Sequence, residues 1–145
     1  MCGDVRFEIS QPAIATGLCH CRMCQRTIGA VVDAWTAFPK EAVRFIRGEP
    51  KYFTSSPIAK RGFCENCGSS LVLKYYAPTE SKLLIMMTAC LDNPKDFAPT
   101  WHSCIESQMP WLDIQDNLPR GRSSESRDLI KRWGGVGITD PADWK

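Results

Sequence analysis

The stretch Cys19-His20-Cys21-Arg22-Met23-Cys24 determines how this chain is interpreted, together with Cys64-Glu65-Asn66-Cys67-Gly68, which begins forty residues after it ends. Zinc sites use thiolates at such short spacings, because two ligands on one turn lose little extra entropy when they meet a single ion. The first cluster offers three sulfur ligands, whereas the second offers two. Three protein ligands leave a fourth position free, which is typical of catalytic zinc. The pattern therefore predicts metal binding, with an open site at the first cluster.

The composition is that of one globular domain of ordinary size. Of its 145 residues, 43% are hydrophobic and 23% are charged, which suffices for a hydrophobic core. Its 18 basic residues nearly balance its 16 acidic ones, so we expect no nucleic-acid or membrane partner. The sequence shows no apolar run of transmembrane length and no signal peptide. We therefore interpret the eight cysteines as reduced thiols and metal ligands, and expect a cytoplasmic protein.

Most of the chain alternates between apolar and polar residues with period two, which is typical of half-buried strands. Proline and glycine separate the alternating segments, as in short strands joined by turns. Strands are predicted at Val5–Ile9, Ile14–His20, Val31–Phe38, Val43–Arg47, Lys51–Thr54, Ala59–Phe63, Leu71–Tyr76 and Leu83–Thr88. The fold class is therefore predicted to be mainly β.

The sequence predicts one helix, Ser124–Trp133, near the C-terminal end. Ser123 or Ser124 is expected to cap it, and Gly134-Gly135 is expected to end it. We therefore expect a zinc-binding β domain over residues 1–120. Residues 121–145 are expected to form a C-terminal helical extension, packed on or beside the same domain.

The predicted strands place the cysteines at strand ends and turns. Cys19 and Cys21 are expected on one face at the end of a strand, with His20 pointing the opposite way. Cys24 is expected on the turn that follows. The second cluster opens the turn between two later strands, where Gly68 is expected to adopt a positive φ.

The residues alone leave two metal arrangements open. In the first, Cys21-x-x-Cys24 and Cys64-x-x-Cys67 hold a single structural zinc as a zinc ribbon, and Cys19 is a spare thiol. In the second, the first cluster holds an open zinc, and Cys2 joins the second cluster in a separate site. That separate site is one ligand short of the four that structural zinc prefers.

The remaining candidate residues have ordinary explanations as well as functional ones. Cys90 and Cys104 are interpreted as small buried hydrophobic residues, which leaves no thiol pair for a redox sensor. His102 is more typical of a packed or hydrogen-bonded residue than of a ligand. Arg26 and Arg61, each close to a cysteine cluster, are either solvated charges or clamps for a carboxylate.

Five spaced stretches carry a family resemblance. They are Cys2-Gly3-Asp4-Val5-Arg6-Phe7; Cys19-His20-Cys21-Arg22-Met23-Cys24-Gln25-Arg26 with Gly29; Arg61-Gly62-Phe63-Cys64-Glu65-Asn66-Cys67-Gly68-Ser69; Leu91-Asp92-Asn93-Pro94; and Pro99-Thr100-Trp101-His102 with Pro110-Trp111. In these stretches the chain resembles the glutathione-dependent formaldehyde-activating enzymes, a family grouped with the centromere protein V domain; the match is weak after Arg120. The resemblance implies a single-domain β-tent of small antiparallel sheets around zinc, with zinc-ribbon-related knuckles.

The resemblance also implies which cysteines hold zinc. The catalytic zinc falls on Cys19, Cys21 and Cys24, and the structural zinc falls on Cys2, Cys64 and Cys67. The fourth structural ligand of the family falls one position before Met1, so this second site is one ligand short.

The implied activity is that of a carbon–sulfur lyase. It is the reversible addition of glutathione's thiol to formaldehyde, giving S-hydroxymethylglutathione, or the formation of a related thiol adduct. The expected partners are glutathione or another small thiol, and a small aldehyde. Arg26, Arg61 and His102 are the expected substrate-binding residues, and His102 is the one strong general base that the sequence suggests. The alternative is a non-catalytic, zinc-stabilised binding module for a thiol or a protein partner.

Overall fold

The computed structural model describes residues 1–139, in which ten short strands are the main regular elements. The strands are β1 (Arg6–Ile9), β2 (Ala15–Cys19), β3 (Asp33–Pro39), β4 (Val43–Arg47), β5 (Lys51–Ser56), β6 (Ala59–Phe63), β7 (Ser70–Tyr75), β8 (Leu83–Met87), β9 (His102–Ser103) and β10 (Arg120–Gly121). The α-helices are α1 (Arg22–Ile28) and α2 (Arg127–Gly134). The prediction of a mainly β chain with a short C-terminal helix is confirmed. Within the described range, no helix is long and apolar enough to cross a membrane.

The strands form a two-stranded ribbon of β1 and β4 and an eight-stranded sheet in the order β10-β9-β2-β3-β8-β7-β6-β5. Within this sheet, every neighbouring pair along the run β2-β3-β8-β7-β6-β5 is antiparallel. By contrast, β9 pairs in parallel with both β2 and β10. In the register of β9 with β2, Cys19 lies opposite Ser103. This pairing brings the residue after β9 to the end of β2, where the first cysteine cluster begins.

The centre of the sheet is covered on both faces. Successive side chains of a strand point to opposite faces, and in β7 the neighbours Val72 and Leu73 are both buried. Val72 packs in a cluster with Phe38 that the ribbon covers, whereas Leu73 packs in a second cluster with Trp133 of α2. The ribbon and α2 therefore cover the two different hydrophobic clusters of the core.

The turn predicted at Cys24 is the first turn of helix α1. Cys21 is the N-cap residue, and its Sγ accepts a hydrogen bond from the backbone N–H of Cys24 at 3.4 Å. Gly29 ends the helix with a φ of 68°. The prediction of a single helix is thus wrong, because cysteine is not among the usual N-cap signals and α1 has only seven residues.

Helix α2 begins later than predicted. Ser126, rather than Ser123 or Ser124, is its N-cap, and its hydroxyl accepts from the N–H of Leu129 at 3.3 Å. The helix ends at Gly134, one residue beyond the predicted end at Trp133, and Gly135 follows it as the C-cap. Arg132 donates to the carbonyl of Thr79 at 3.1 Å. These contacts hold α2 against the loop after β7. Residues 140–145 of the expected extension lie outside the described residues.

Gly17 and Gly68 are two of the glycines at positions where a side chain would not fit or would be strained. At Gly17 in β2, an added Cβ would lie 2.8 Å from the Trp35 ring and 2.9 Å from Nε1 of Trp101. The two indole rings therefore meet edge to face over bare backbone, with their centroids 5.9 Å apart. Gly68 has a φ of 74°, which confirms its predicted positive φ.

Candidate functional site

The cysteines of the first cluster converge at the end of β2, and we call Cys19, Cys21 and Cys24 the cavity triad. Their Sγ atoms all lie within 4.8 Å of one another. They come from the last residue of β2, the N-cap of α1 and the first turn of α1. Cys19 and Cys24 are each 8% exposed. Three sulfur atoms at these separations could hold one tetrahedral metal ion.

Arg61 supplies a positive charge to the cavity triad. Its side chain is 4% exposed, and its Nη2 donates a hydrogen bond to Sγ of Cys24 at 3.2 Å. Burial opposes the Arg61 charge, but the Cys24 sulfur outweighs this effect and raises the pKa of Arg61. Three thiolates exceed the charge of a divalent ion by one, so the guanidinium offsets the excess that a metal-loaded triad would carry.

The structure places a fourth sulfur, that of Cys104, at the cavity triad. Cys104 is 6% exposed and packs in one cluster with Cys19 and Cys24. Hydrogen bonds from the thiols of Cys104 and then Cys19 lower the pKa of Cys21, whereas the hydrogen bond to Cys104 raises the pKa of Cys19. Cys104 is buried, as the sequence suggested, but it also belongs to the candidate site. No local sequence pattern marked it.

Asp33 is a second site residue that sequence reasoning missed. It is the first residue of β3 and lies opposite Cys19 in the β2–β3 register. The side chain is 3% exposed, and burial raises the pKa of Asp33 to about 6. The available signal was an acidic residue inside a predicted strand of otherwise apolar and small residues.

A cavity of about 350 Å³ opens beside the cavity triad. This volume is at the lower end of the range that small-molecule pockets have. Asp33 and Arg61 line it together with the cysteines, and Trp35 and Trp101 contribute an aromatic wall. Leu129 of α2 lines the cavity and packs against the cysteine cluster. The site is therefore a mainly apolar cavity with thiols at its wall, to which the buried Asp33 carboxyl and Arg61 guanidinium also contribute.

His102 and Arg26 lie elsewhere. His102 is fully buried; its Nε2 donates to Asp116 at 3.0 Å, and its Nδ1 lies 2.8 Å from Nε2 of His20. His20 stacks on His102 and is not among the residues that line the cavity, and burial lowers the pKa of His20. Arg26 is an exposed residue of α1. The residues that line the cavity include Arg61 but neither Arg26 nor His102.

A second set of sulfurs lies at the turn between β6 and β7, and we call Cys2, Cys64 and Cys67 the surface triad. Its Sγ atoms also lie within 4.8 Å of one another, and those of Cys2 and Cys64 are 3.5 Å apart. Cys2 is exposed, whereas Cys64 is buried. A hydrogen bond with the Ser69 hydroxyl lowers the pKa of Cys67 to about 6. This triad could also hold a metal ion.

The two triads are separate sites. Cys64 and Cys67 pack in the hydrophobic cluster under the ribbon, whereas Cys19 and Cys24 pack in another. The structure therefore does not gather the two CxxC pairs around one ion, which excludes the single zinc ribbon. Cys90 belongs to neither triad, and its thiol donates to the carbonyl of Ser70 at 3.1 Å.

The comparison with protein-family models agrees with the geometry. The model of the family described as glutathione-dependent formaldehyde-activating enzyme matches residues 1–107. Among solved structures, the chain is similar to a crystal structure of a Rhodobacter sphaeroides protein. The two share 25% sequence identity over 66% of this chain and 88% of that chain, with a TM-score of 0.49. No match was found among curated proteins.

Proposed function

Because the chain belongs to the family of glutathione-dependent formaldehyde-activating enzymes, we propose that it is a zinc-dependent enzyme that adds a small thiol to formaldehyde. Membership supports a function related to glutathione and formaldehyde in general. The particular reaction proposed is the reversible formation of S-hydroxymethylglutathione or a related thiol adduct, a carbon–sulfur lyase activity. The observation that carries the proposal is the convergence of three sulfur atoms at the wall of a cavity.

We propose that the cavity triad holds the catalytic zinc and that the surface triad holds a structural one. The donor set fits, because thiolates are preferred zinc ligands and Arg61 offsets the excess negative charge of the cavity triad. When bound there, zinc would supply Lewis acidity that favours the thiolate form of a substrate thiol near neutral pH.

The side chains around the cavity suit the proton movement that this reaction requires. Addition forms one S–C bond, turns the carbonyl into a hydroxyl, and moves one proton from sulfur to oxygen. Asp33 lines the cavity, and its pKa of about 6 lets its carboxyl both accept and return a proton near neutral pH. His102 is hydrogen-bonded at both ring nitrogens outside the cavity, so we assign the proton transfer to Asp33.

Substrate binding is assigned to the cavity walls and Arg61. Two N–H groups of Arg61, at Nε and Nη1, are buried and have no hydrogen-bond partner among the described residues. They can donate to an oxygen of the substrate. Leu129 and Trp133 of α2 form part of the same walls. We therefore infer that the C-terminal extension completes the site of the β domain.

The test combines a count of zinc with a rate measurement. Wild-type protein should contain one zinc for each triad, and should accelerate formaldehyde–glutathione exchange as measured by exchange NMR. Cys21→Ser should lose one zinc and the acceleration while keeping the circular dichroism of the wild type. Cys90→Ser is the matched control and should keep both zinc ions and the rate. An unchanged rate in Cys21→Ser would contradict the enzyme proposal and favour a zinc-stabilised binding module.

A further inference from the structure

Cys104 is held in place by the parallel pairing of β9 with β2. The carbonyl of Ser103 accepts from the N–H of His20 at 3.0 Å, and the Ser103 hydroxyl donates to the carbonyl of Leu18 at 3.2 Å. These bonds fix the residue before Cys104 against the strand that leads into the cavity triad. The sheet thus fixes the backbone that leads into Cys104.

The backbone of Cys104 is strained. With φ 57° and ψ 45°, it is the one non-glycine residue with a positive φ in the described range 1–139. The left-handed conformation costs an L-residue roughly 1–2 kcal/mol. Such strain persists where the surroundings impose it, and it concentrates at functional sites.

The surroundings of Cys104 can accommodate further negative charge. The Cys104 side chain is 6% exposed, packs in one cluster with Cys19 and Cys24, and lines the same cavity. Arg61 donates one hydrogen bond, from Nη2, to Sγ of Cys24. Its buried Nε and Nη1 groups have no hydrogen-bond partner among the described residues. These donors, which the proposed function assigns to a substrate oxygen, also leave positive charge at the cluster that a further anionic ligand would offset.

We propose that Cys104 is a fourth thiolate ligand to the metal of the cavity triad. The proposal rests on the proposed function, because it requires that the triad binds a metal ion. Four thiolates complete the tetrahedral set that zinc prefers. The chain would then close with its own sulfur the position that an entering substrate needs. A substrate thiol would have to compete with Cys104, which makes this residue a determinant of substrate affinity.

The test uses the full chain loaded with Co²⁺ in place of zinc, because thiolate-to-cobalt absorption grows with the number of bound sulfurs. Cys104→Ser keeps the size of the side chain, and Cys104→Gly also removes the strain of the left-handed backbone. Both variants should lose the absorption of one thiolate. They should also release one of the two metal ions at a chelator concentration at least about tenfold lower than the wild type requires. Cys90→Ser should match the wild type in both measurements.

A glutathione titration separates the possible outcomes. The cobalt spectrum of the Cys104 variants should respond at a lower glutathione concentration than that of the wild type, because no internal sulfur competes. If the spectrum, chelator release and titration of both variants equal those of the wild type, Cys104 only packs against the cluster and the inference is wrong. The proposed function would survive that result. It fails together with the inference if Cys21→Ser keeps the full metal content and spectrum of the wild type.

Discussion

The cavity triad and the surface triad offer the same three ligand atoms, but they join very different lengths of chain. The cavity triad takes its sulfurs from Cys19 to Cys24, so its three ligands by themselves link only β2 and α1. The surface triad links Cys2 to Cys64, which are 62 positions apart. Cross-links that close long loops restrict the unfolded chain more than those that close short ones. A metal in the surface triad is therefore suited to stabilising the fold.

The surroundings of the two triads also differ, and they too favour a structural role for the surface triad. The cavity triad is buried, lies beside an apolar cavity, and has a guanidinium, a carboxyl and a fourth sulfur nearby. The surface triad has an exposed member, Cys2, and its Cys67 thiol is hydrogen-bonded to the Ser69 hydroxyl. Ligand identity alone therefore does not assign a role to a cysteine cluster. The length of chain between the ligands and the charge of the neighbouring side chains distinguish the two roles.

The largest effect is expected from removing one ligand of each triad. The relation for covalent cross-links gives about 4 kcal/mol for a loop of the 62 residues that separate Cys2 and Cys64, and about 2 kcal/mol for a loop as short as Cys19–Cys24. Cys64→Ser should therefore reduce the free energy of unfolding of the zinc-loaded protein by about 2 kcal/mol more than Cys21→Ser. Urea denaturation measures both. Equal losses, or a larger loss in Cys21→Ser, would remove the distinction between the triads.

Removal of the Arg61 charge should weaken metal binding at the cavity triad only. In Arg61→Met the Cys24 sulfur loses its hydrogen bond from the guanidinium. Loss of such a partner typically lowers metal affinity about 10- to 100-fold. Competition with a chelator should show weaker binding of one metal ion and unchanged binding of the other. Arg26→Met, which alters an exposed arginine on α1, is the matched control, and a similar loss there would contradict the assignment.

Helix α2 should slow metal exchange at the cavity triad and leave metal exchange at the surface triad unaffected. Leu129 packs against the cysteine cluster, and because it is only half-buried, Leu129→Ala should cost about 1–2 kcal/mol, less than a fully buried leucine would. Metal exchange should become faster at one of the two sites. Ile130→Ala, on the same helix at a residue that is 51% exposed, should leave both exchange rates as they are. Faster exchange in both variants would point to general loosening of the fold.

The smallest effect concerns the histidines behind the cavity triad. The hydrogen bond from His102 lowers the pKa of Asp116 below its ordinary value of 3.8. Because the folded-state pKa is depressed, this contribution to stability is present above the ordinary value and is lost as the pH falls through the folded value. Asp116→Asn should therefore lower the melting temperature slightly at neutral pH. The difference from the wild type should shrink at pH values below 3.8; a difference that persists there would show that the ionised carboxylate is not its source.

The sequence predicted the parts of this molecule that depend on local alternation. The predicted strands Val43–Arg47 and Ala59–Phe63 have the bounds that the structure gives them, because each reveals its period within a few residues. Helix α1 was missed because it is short and because its N-cap is Cys21, which the spacing of the cysteines indicated as a metal ligand. The cap of α2 was misplaced because three of the four residues 123–126 are serines, each a capable N-cap.

The candidate site was predictable only where its residues are close in sequence. The spacing of Cys19, Cys21 and Cys24 is itself a ligand pattern, and the structure brings the three sulfurs together. Asp33 and Cys104 reach the same place through the pairing of β2 with β3 and with β9. Pairing between strands distant in sequence leaves no mark on the local pattern of either strand. For the same reason, nothing in the sequence distinguished Arg61, which lies on β6, from the exposed Arg26.

The bare backbone at Gly17 lets the indole rings of Trp35 and Trp101 meet beside the cysteines, and both rings line the cavity. An indole responds to the polarity of its surroundings, since one end of the ring is apolar and the other carries an N–H group. A molecule that fills the cavity would displace water from these rings. The intrinsic fluorescence of the protein would then report occupancy without any attached dye, and a side chain at position 17 would push the rings apart and remove that optical signal.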